Sequence, residues 1–253
     1  MRLIAIELGI AVGLLLGLLL ALELGFRLGR RVYRTDPDAG MNEIGVIQTA
    51  MLGVLGLLLA FSFAAAGSRF LERQDLITQE ANAIGTSYLR AGLLADPHRT
   101  NLRTALKEYT EHRIAASAQR VAAWDPASLA EVERLHERIW ESATEGVAGD
   151  HELGLLVLPP INDTIDLHAT RVGAARKHIP RIVMILLIAC SILSMAVIGY
   201  GCGLENRRRW PMTISLAIVI GFALCITIDL DYPRAGMLRL SDQPLIDLEF
   251  VVK

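Results

Sequence analysis

Four long apolar runs constrain this chain more than any other feature of its 253 residues. The first occupies 3–26, with Glu7 inside it and Glu23 near its end; the others, 44–68, 182–204 and 210–228, carry no charge. A spanning helix needs ~20 mostly apolar residues, because in hydrocarbon every backbone amide must find its partner inside the segment. A soluble domain of this size has no means of burying four such runs. The fold class that follows is all-α: a polytopic membrane protein with four transmembrane helices and a helical extramembrane block between spans 2 and 3. The first run reads as a retained span rather than a cleaved leader, because Glu23-Leu24-Gly25-Phe26-Arg27 offers no small-residue cleavage site.

Composition agrees. The chain is 53% hydrophobic and 21% charged, against ~45–50% and ~25% for soluble domains. A net charge of -2 excludes a strongly basic nucleic-acid binder, so the partner to expect is membrane lipid. Cys190, Cys202 and Cys225 sit in the apolar runs and form neither a disulfide framework nor a zinc pattern.

The organisation reads as a hairpin over 1–68, a polar block over 69–181, a second hairpin over 182–228 and a tail over 229–253. An even number of spans puts both termini and the block on one side. Two charge counts point opposite ways about which side. Arg27, Arg30, Arg31 and Arg34 follow the first run and only Arg2 precedes it, which favours cytoplasmic short loops. The total of basic residues is larger on the block side. Within the block, helix 2 reads as continuing to about Leu94. Asp96-Pro97 and Asp125-Pro126 are helix starts, a capping acid followed by proline at the first helical position. Leu102, Leu106 and Tyr109, and then Leu129, Val132, Leu135 and Ile139, form apolar stripes. Pro159-Pro160 either kinks or starts the next helix, and Pro180 marks the approach to span 3.

No nucleotide-binding, metalloprotease or nucleophile-elbow motif is present, and no two histidines stand four apart. The sequence therefore predicts no enzyme, no cofactor and no metal. Asp163, Asp166 and His168 cluster in one helix; a polar helix face accounts for them better than a metal or proton-relay site. Asp229 and Asp231 end span 4, where a ring of carboxylates in an oligomer would attract cations, or where they are simply hydrated helix ends. Helix 2 says more. Gly45, Gly53 and Gly56, with Ala50 and Ala60, are small enough for close helix approach. Gly53, Leu57, Phe61 and Ala65 recur every four residues, with Ser62 beside them. In an oligomer such a stripe lines a constriction that gates by dewetting; the alternative is a packing face. Arg69, Phe70 and Arg73 stand at the membrane exit.

The run Leu58-Leu59-Ala60-Phe61-Ser62-Phe63, then Ser68-Arg69-Phe70 and Glu80-Ala81-Asn82-Ala83-Ile84-Gly85-Thr86, resembles a bacterial bestrophin-like family of unknown function. Tyr88-Leu89-Arg90, Ile165-Asp166-Leu167-His168, Asp229-Leu230-Asp231-Tyr232-Pro233 and Gln243-Pro244-Leu245-Ile246-Asp247-Leu248 extend the resemblance over nearly the whole chain. Bestrophins proper, which it resembles more distantly, are pentameric ion channels with the same order of two spans, a helical cytoplasmic block and two spans. That comparison implies a pore neck at Gly53, Leu57 and Phe61 and an exit at Arg69-Phe70. There are departures: Leu71 stands where a second tryptophan is expected, Gly53 replaces a bulky neck residue, and the acidic calcium clasp is missing, which predicts no calcium gating. The expectation is a homo-oligomeric channel for inorganic ions, a pentamer, in a bacterial inner membrane. The alternative is a non-conducting scaffold or sensor whose helical block binds a partner protein.

Overall fold

The computed structural model describes residues 2–35, 41–118, 125–233 and 237–248, with the side chains of 2–7 and 41–43 outside that description. Eight α-helices follow in order among these residues: α1 (Arg2–Thr35), α2 (Met41–Ala91), α3 (His98–Ala118), α4 (Pro126–Gly146), α5 (His151–Arg176), α6 (Arg181–Leu204), α7 (Trp210–Asp231) and α8 (Gln243–Leu248). Four helical stretches among the described residues are long and apolar enough to cross a membrane. The chain divides into two compact units, Met1–Phe70 with His178–Arg239 and Leu71–Lys177 with Leu240–Lys253.

The membrane unit is built on a seam between α1 and α6. Gly25 and Gly29 of α1 face the carbonyls of Ala196 and Tyr200; Gly199 and Gly203 of α6 face the carbonyls of Leu22 and Phe26. A Cβ at any of the four would fall far inside van der Waals contact with that oxygen. The physical reason is the solvent. Lipid tails are as apolar as leucine, so helices in a bilayer gain little by hiding apolar side chains and associate by close backbone approach. Beside the seam, Leu18, Leu55, Leu187, Met195 and Leu224 fill the core. The Gln48 amide nitrogen donates to the carbonyl of Val197 at 3.1 Å and ties α2 to α6.

The block packs as a water-soluble domain does. Ile77 and Ile84 of α2, Leu102, Leu106 and Tyr109 of α3, Val132, Leu135 and Ile139 of α4, and Val157 and Ile161 of α5 close one apolar core. Asp125 caps α4 by accepting from the Ser128 amide at 3.0 Å, with Pro126 opening the helix. Asp150 caps α5 in the same way, from the Leu153 amide at 2.9 Å. So α5 starts at His151 and runs through Pro159 and Pro160 rather than starting at them. Pro160 has no amide hydrogen, which frees the carbonyl of Leu156 one turn earlier. Nη1 of Arg90 donates to that oxygen at 2.6 Å, so one of the two acceptors that the proline pair frees is satisfied. The C-terminal segment is more than a tail: Leu245 of α8 is fully buried in the block core, and Gln74 exchanges two hydrogen bonds with the backbone of Ser241.

Candidate functional site

The membrane half of α2 is the least covered of the spans. Only 6% of its most apolar window is buried, against 22% for α1 and 33% for α7. Leu55, Ser62 and Ala66 form a narrow buried line on the helix. Val54, Leu57, Phe61 and Phe63 stand exposed on the remainder, Leu57 at 57% and Phe61 at 67%. Among the described residues, no atom from outside the local helix lies within 4 Å of a Cβ placed on Gly45, Gly53, Gly56 or Gly67. These four glycines of α2 therefore serve no close approach among the described residues, in contrast to the seam glycines of α1 and α6.

The sequence-predicted residues separate into two groups. Gly53, Leu57 and Phe61 share an open face, with half-buried Ala65 at its margin. Ser62 does not join them. One residue turns an α-helix by ~100°, so the step from Phe61 carries Ser62 to the buried line, where it is 6% exposed. Arg73 also leaves the exit group. It is 5% exposed, and its guanidinium donates to the carbonyls of Ala174, at 3.2 Å, and Lys177, at 2.5 Å, closing the end of α5. Arg69 is half-buried, donates to the Ala65 carbonyl at 3.4 Å and lies 3.9 Å from Asp231. Phe70 is half-buried.

Asp231, expected as an ion-attracting carboxylate, is 1% exposed. Both of its oxygens accept from the Ile179 amide, at 3.1 and 3.0 Å, so it ties the end of α7 to the residues leading into α6. His178 stacks on Tyr232 with ring centroids 4.2 Å apart at the same junction. A carboxylate so enclosed does not form a hydrated ring. Asp229 is half-buried, and its two oxygens accept the amides of Met237 and Leu238 at 2.9 and 2.8 Å. Asp163 and Asp166 are not buried, whereas His168 is, so that cluster does not converge. Among the described residues no three metal-ligating side chains come together.

The block holds a constellation that sequence reading missed. Glu80, fully buried, accepts from the Tyr109 hydroxyl and from Arg171, and pairs with Arg113 at 3.2 Å. His136 and His168 pack beside Tyr109, their centroids 5.4 Å apart. Among the described residues, neither nitrogen of His168, nor Nε2 of His136, has a hydrogen-bond partner. Burial, reinforced by the Arg113 charge, holds both imidazoles neutral, lowering His136 to about 4 and His168 to about 3. Burial also pushes the Tyr109 phenol up to about 12. The available signal was position: Glu80 falls on the helical face of Ile77, Ala81 and Ile84, where an isolated charge would be very costly.

Comparison with known proteins gives two results. A family model described as Bestrophin-like domain matches residues 12–245. Among solved structures, a mutant of a bacterial bestrophin homologue from Klebsiella pneumoniae superposes with a TM-score of 0.66 at 14% identity, covering 93% of this chain and 98% of that one. No curated protein matches.

Proposed function

Because this chain belongs to the bestrophin-like family, we propose that it assembles as a homo-oligomer, a pentamer, around α2 and conducts inorganic ions across a bacterial inner membrane. The observation that carries this reading is the uncovered apolar face of α2. A span with so little cover is completed by lipid or by copies of itself, and symmetry turns each residue of that face into a ring. Leu57 and Phe61 are the large side chains of the ring, and Phe61 is the more exposed of the two. Gly53 contributes only backbone width, and Ala65 a shallow step, so the narrow zone spans one turn of helix.

An apolar ring controls conduction through hydration. An ion that enters a narrow ring of leucine and phenylalanine sheds water and gains no replacement ligand. When the ring widens, water and ions pass together. A ring at Leu57 and Phe61 needs nothing of Ser62, which is buried, or of Arg73 and Asp231, which are bonded inside the chain.

The test is flux through liposomes containing wild type or Phe61→Ala, with oligomer mass and melting temperature measured on the same preparations. The expected outcome is higher flux at unchanged mass and melting temperature. Because Phe61 is 67% exposed within the chain, its truncation opens no core cavity there. Dissociation of the oligomer, or a melting loss equivalent to the ~3–5 kcal/mol of a core Phe→Ala change, would instead make α2 a packing face and favour the scaffold.

A further inference from the structure

A groove of about 340 Å³ lies in the membrane unit between α2, α6 and α7. Leu52, Ile198 and Leu216 from the spans line it, as do Glu205 and Arg209 from the connection that follows α6. Its volume falls in the ~300–1,000 Å³ range of ligand pockets. Gly201 keeps it in shape: a Cβ there would strike the Gln48 side chain, whose bond to Val197 pins α2 beside α6.

The charge at this end of the unit is unbalanced. Arg27 and Arg208 share Glu23, each at 2.8 Å, and Arg209 holds Glu205 at 2.8 Å. Arg30, Arg31, Arg34 and Arg207 have no ion-pair partner among the described residues. Arginines at the end of a span stand at headgroup depth, where their forked guanidinium matches a phosphate. The exposed Arg209–Glu205 pair is a weak tie that a phosphate can replace. A slot between spans that is apolar along Leu52, Ile198 and Leu216, polar at Thr49 and Thr213, and closed at one end by Arg209, two residues from unpaired Arg207, is a fit for a lipid, because neither feature alone suits a free anion or a plain hydrocarbon chain.

We propose that this groove holds an acyl chain of an anionic phospholipid whose phosphate rests on Arg207 and Arg209. The inference does not depend on conduction; it stands on the groove and the charge at its mouth.

The experiment is native mass spectrometry of the intact detergent-solubilised protein titrated with dioleoyl phosphatidylglycerol, dioleoyl phosphatidylcholine or glycerol 3-phosphate. Phosphatidylglycerol should be retained about tenfold more tightly than phosphatidylcholine, and glycerol 3-phosphate should neither bind nor compete. The double variant Arg207→Gln, Arg209→Gln changes exposed side chains and should abolish the preference at unchanged melting temperature. Leu216→Trp, which fills the slot, should reduce retention of both lipids; if it fails to fold, the arginine variant decides alone. Equal retention of the two lipids, or a preference that survives the arginine variant, overturns the proposal. So does competition by glycerol 3-phosphate, which would mark a free-anion site. Lipid exclusion together with oligomer dissociation in Leu216→Trp would also overturn it, by making the groove a contact between copies.

Discussion

The α1–α6 seam and the core of the block are both tightly closed, by opposite means. The seam brings backbones together by removing side chains: Gly25, Gly29, Gly199 and Gly203 each lie against a carbonyl of the other helix. The block fills its interior with large side chains and then accepts Glu80, Arg113 and Arg171 among them. The difference follows from what each region is taken out of. Water rewards the burial of leucine by ~25 cal/mol per Å², so the block can carry the desolvation of an ion network. Lipid gives no such reward, so the seam depends on shape alone.

The sharpest way to break this comparison is to put a side chain into the seam. Gly199→Leu drives carbon into the Leu22 carbonyl, and relief requires the helices to separate. The expected loss exceeds the ~1–3 kcal/mol of ordinary overpacking, read as disappearance of the cooperative melt in detergent. Gly53→Leu on α2 meets open space and should leave the fold of the chain within ~0.5 kcal/mol. If the two variants melt alike, the seam is not what holds the unit.

In the block the matching change removes the centre of the ion network. Glu80→Gln leaves the Arg113 and Arg171 guanidiniums without their buried carboxylate, a cost of ~3–5 kcal/mol. Urea unfolding followed by near-ultraviolet dichroism of Tyr109 measures it. Replacing exposed Glu131, paired with Arg134 on the surface of α4, should leave the urea midpoint essentially unchanged.

A smaller effect comes from acid. His136 and His168 are neutral in the folded block, with values lowered to about 4 and about 3, whereas an unfolded chain protonates them near ~6.5. The unfolded state therefore binds more protons below ~6.5, and stability falls as pH falls. The stabilising contribution is fully present above ~6.5, drops by roughly 1 kcal/mol per ring per pH unit below it, and levels off as the folded-state values are passed. Urea midpoints from pH 7.5 to 5 should show this slope in the wild type. In His136→Phe, His168→Phe the slope should flatten; an unchanged slope would assign the acid sensitivity to other groups.

The sequence made the spans legible because ~20 uncharged residues have few fates. The stripes at Leu102, Leu106 and Tyr109 and at Val132, Leu135 and Ile139 were legible for a similar reason, since helical spacing and burial coincide there. Asp125 was readable as a cap because its chemistry is local. The partner of a glycine is not local. Gly25 and Gly29 carry the same four-residue spacing as Gly53 and Leu57, and spacing says how close a helix can come without saying which helix arrives. Reading α2 as the site of close approach followed from that ambiguity. Glu80 stayed hidden because its neutralising groups, Arg113 and Arg171, lie on other helices. Periodicity put Leu57 and Phe61 on one face of α2 without saying whether that face packs inside the chain, whereas the inward turn of Ser62 appears only once Leu55 and Ala66 define the buried line.

The place of α8 has a consequence for how this protein is made. Leu245 fills the interior of the block, Asp242 accepts from the Ser117 hydroxyl and Ser241 is held by Gln74. These residues leave the ribosome after α6 and α7, whereas the rest of the block is synthesised before either of those helices. Leu245 therefore cannot complete the block core until the second hairpin has emerged. A chain released early lacks Leu245 and leaves the apolar residues that pack around it uncovered.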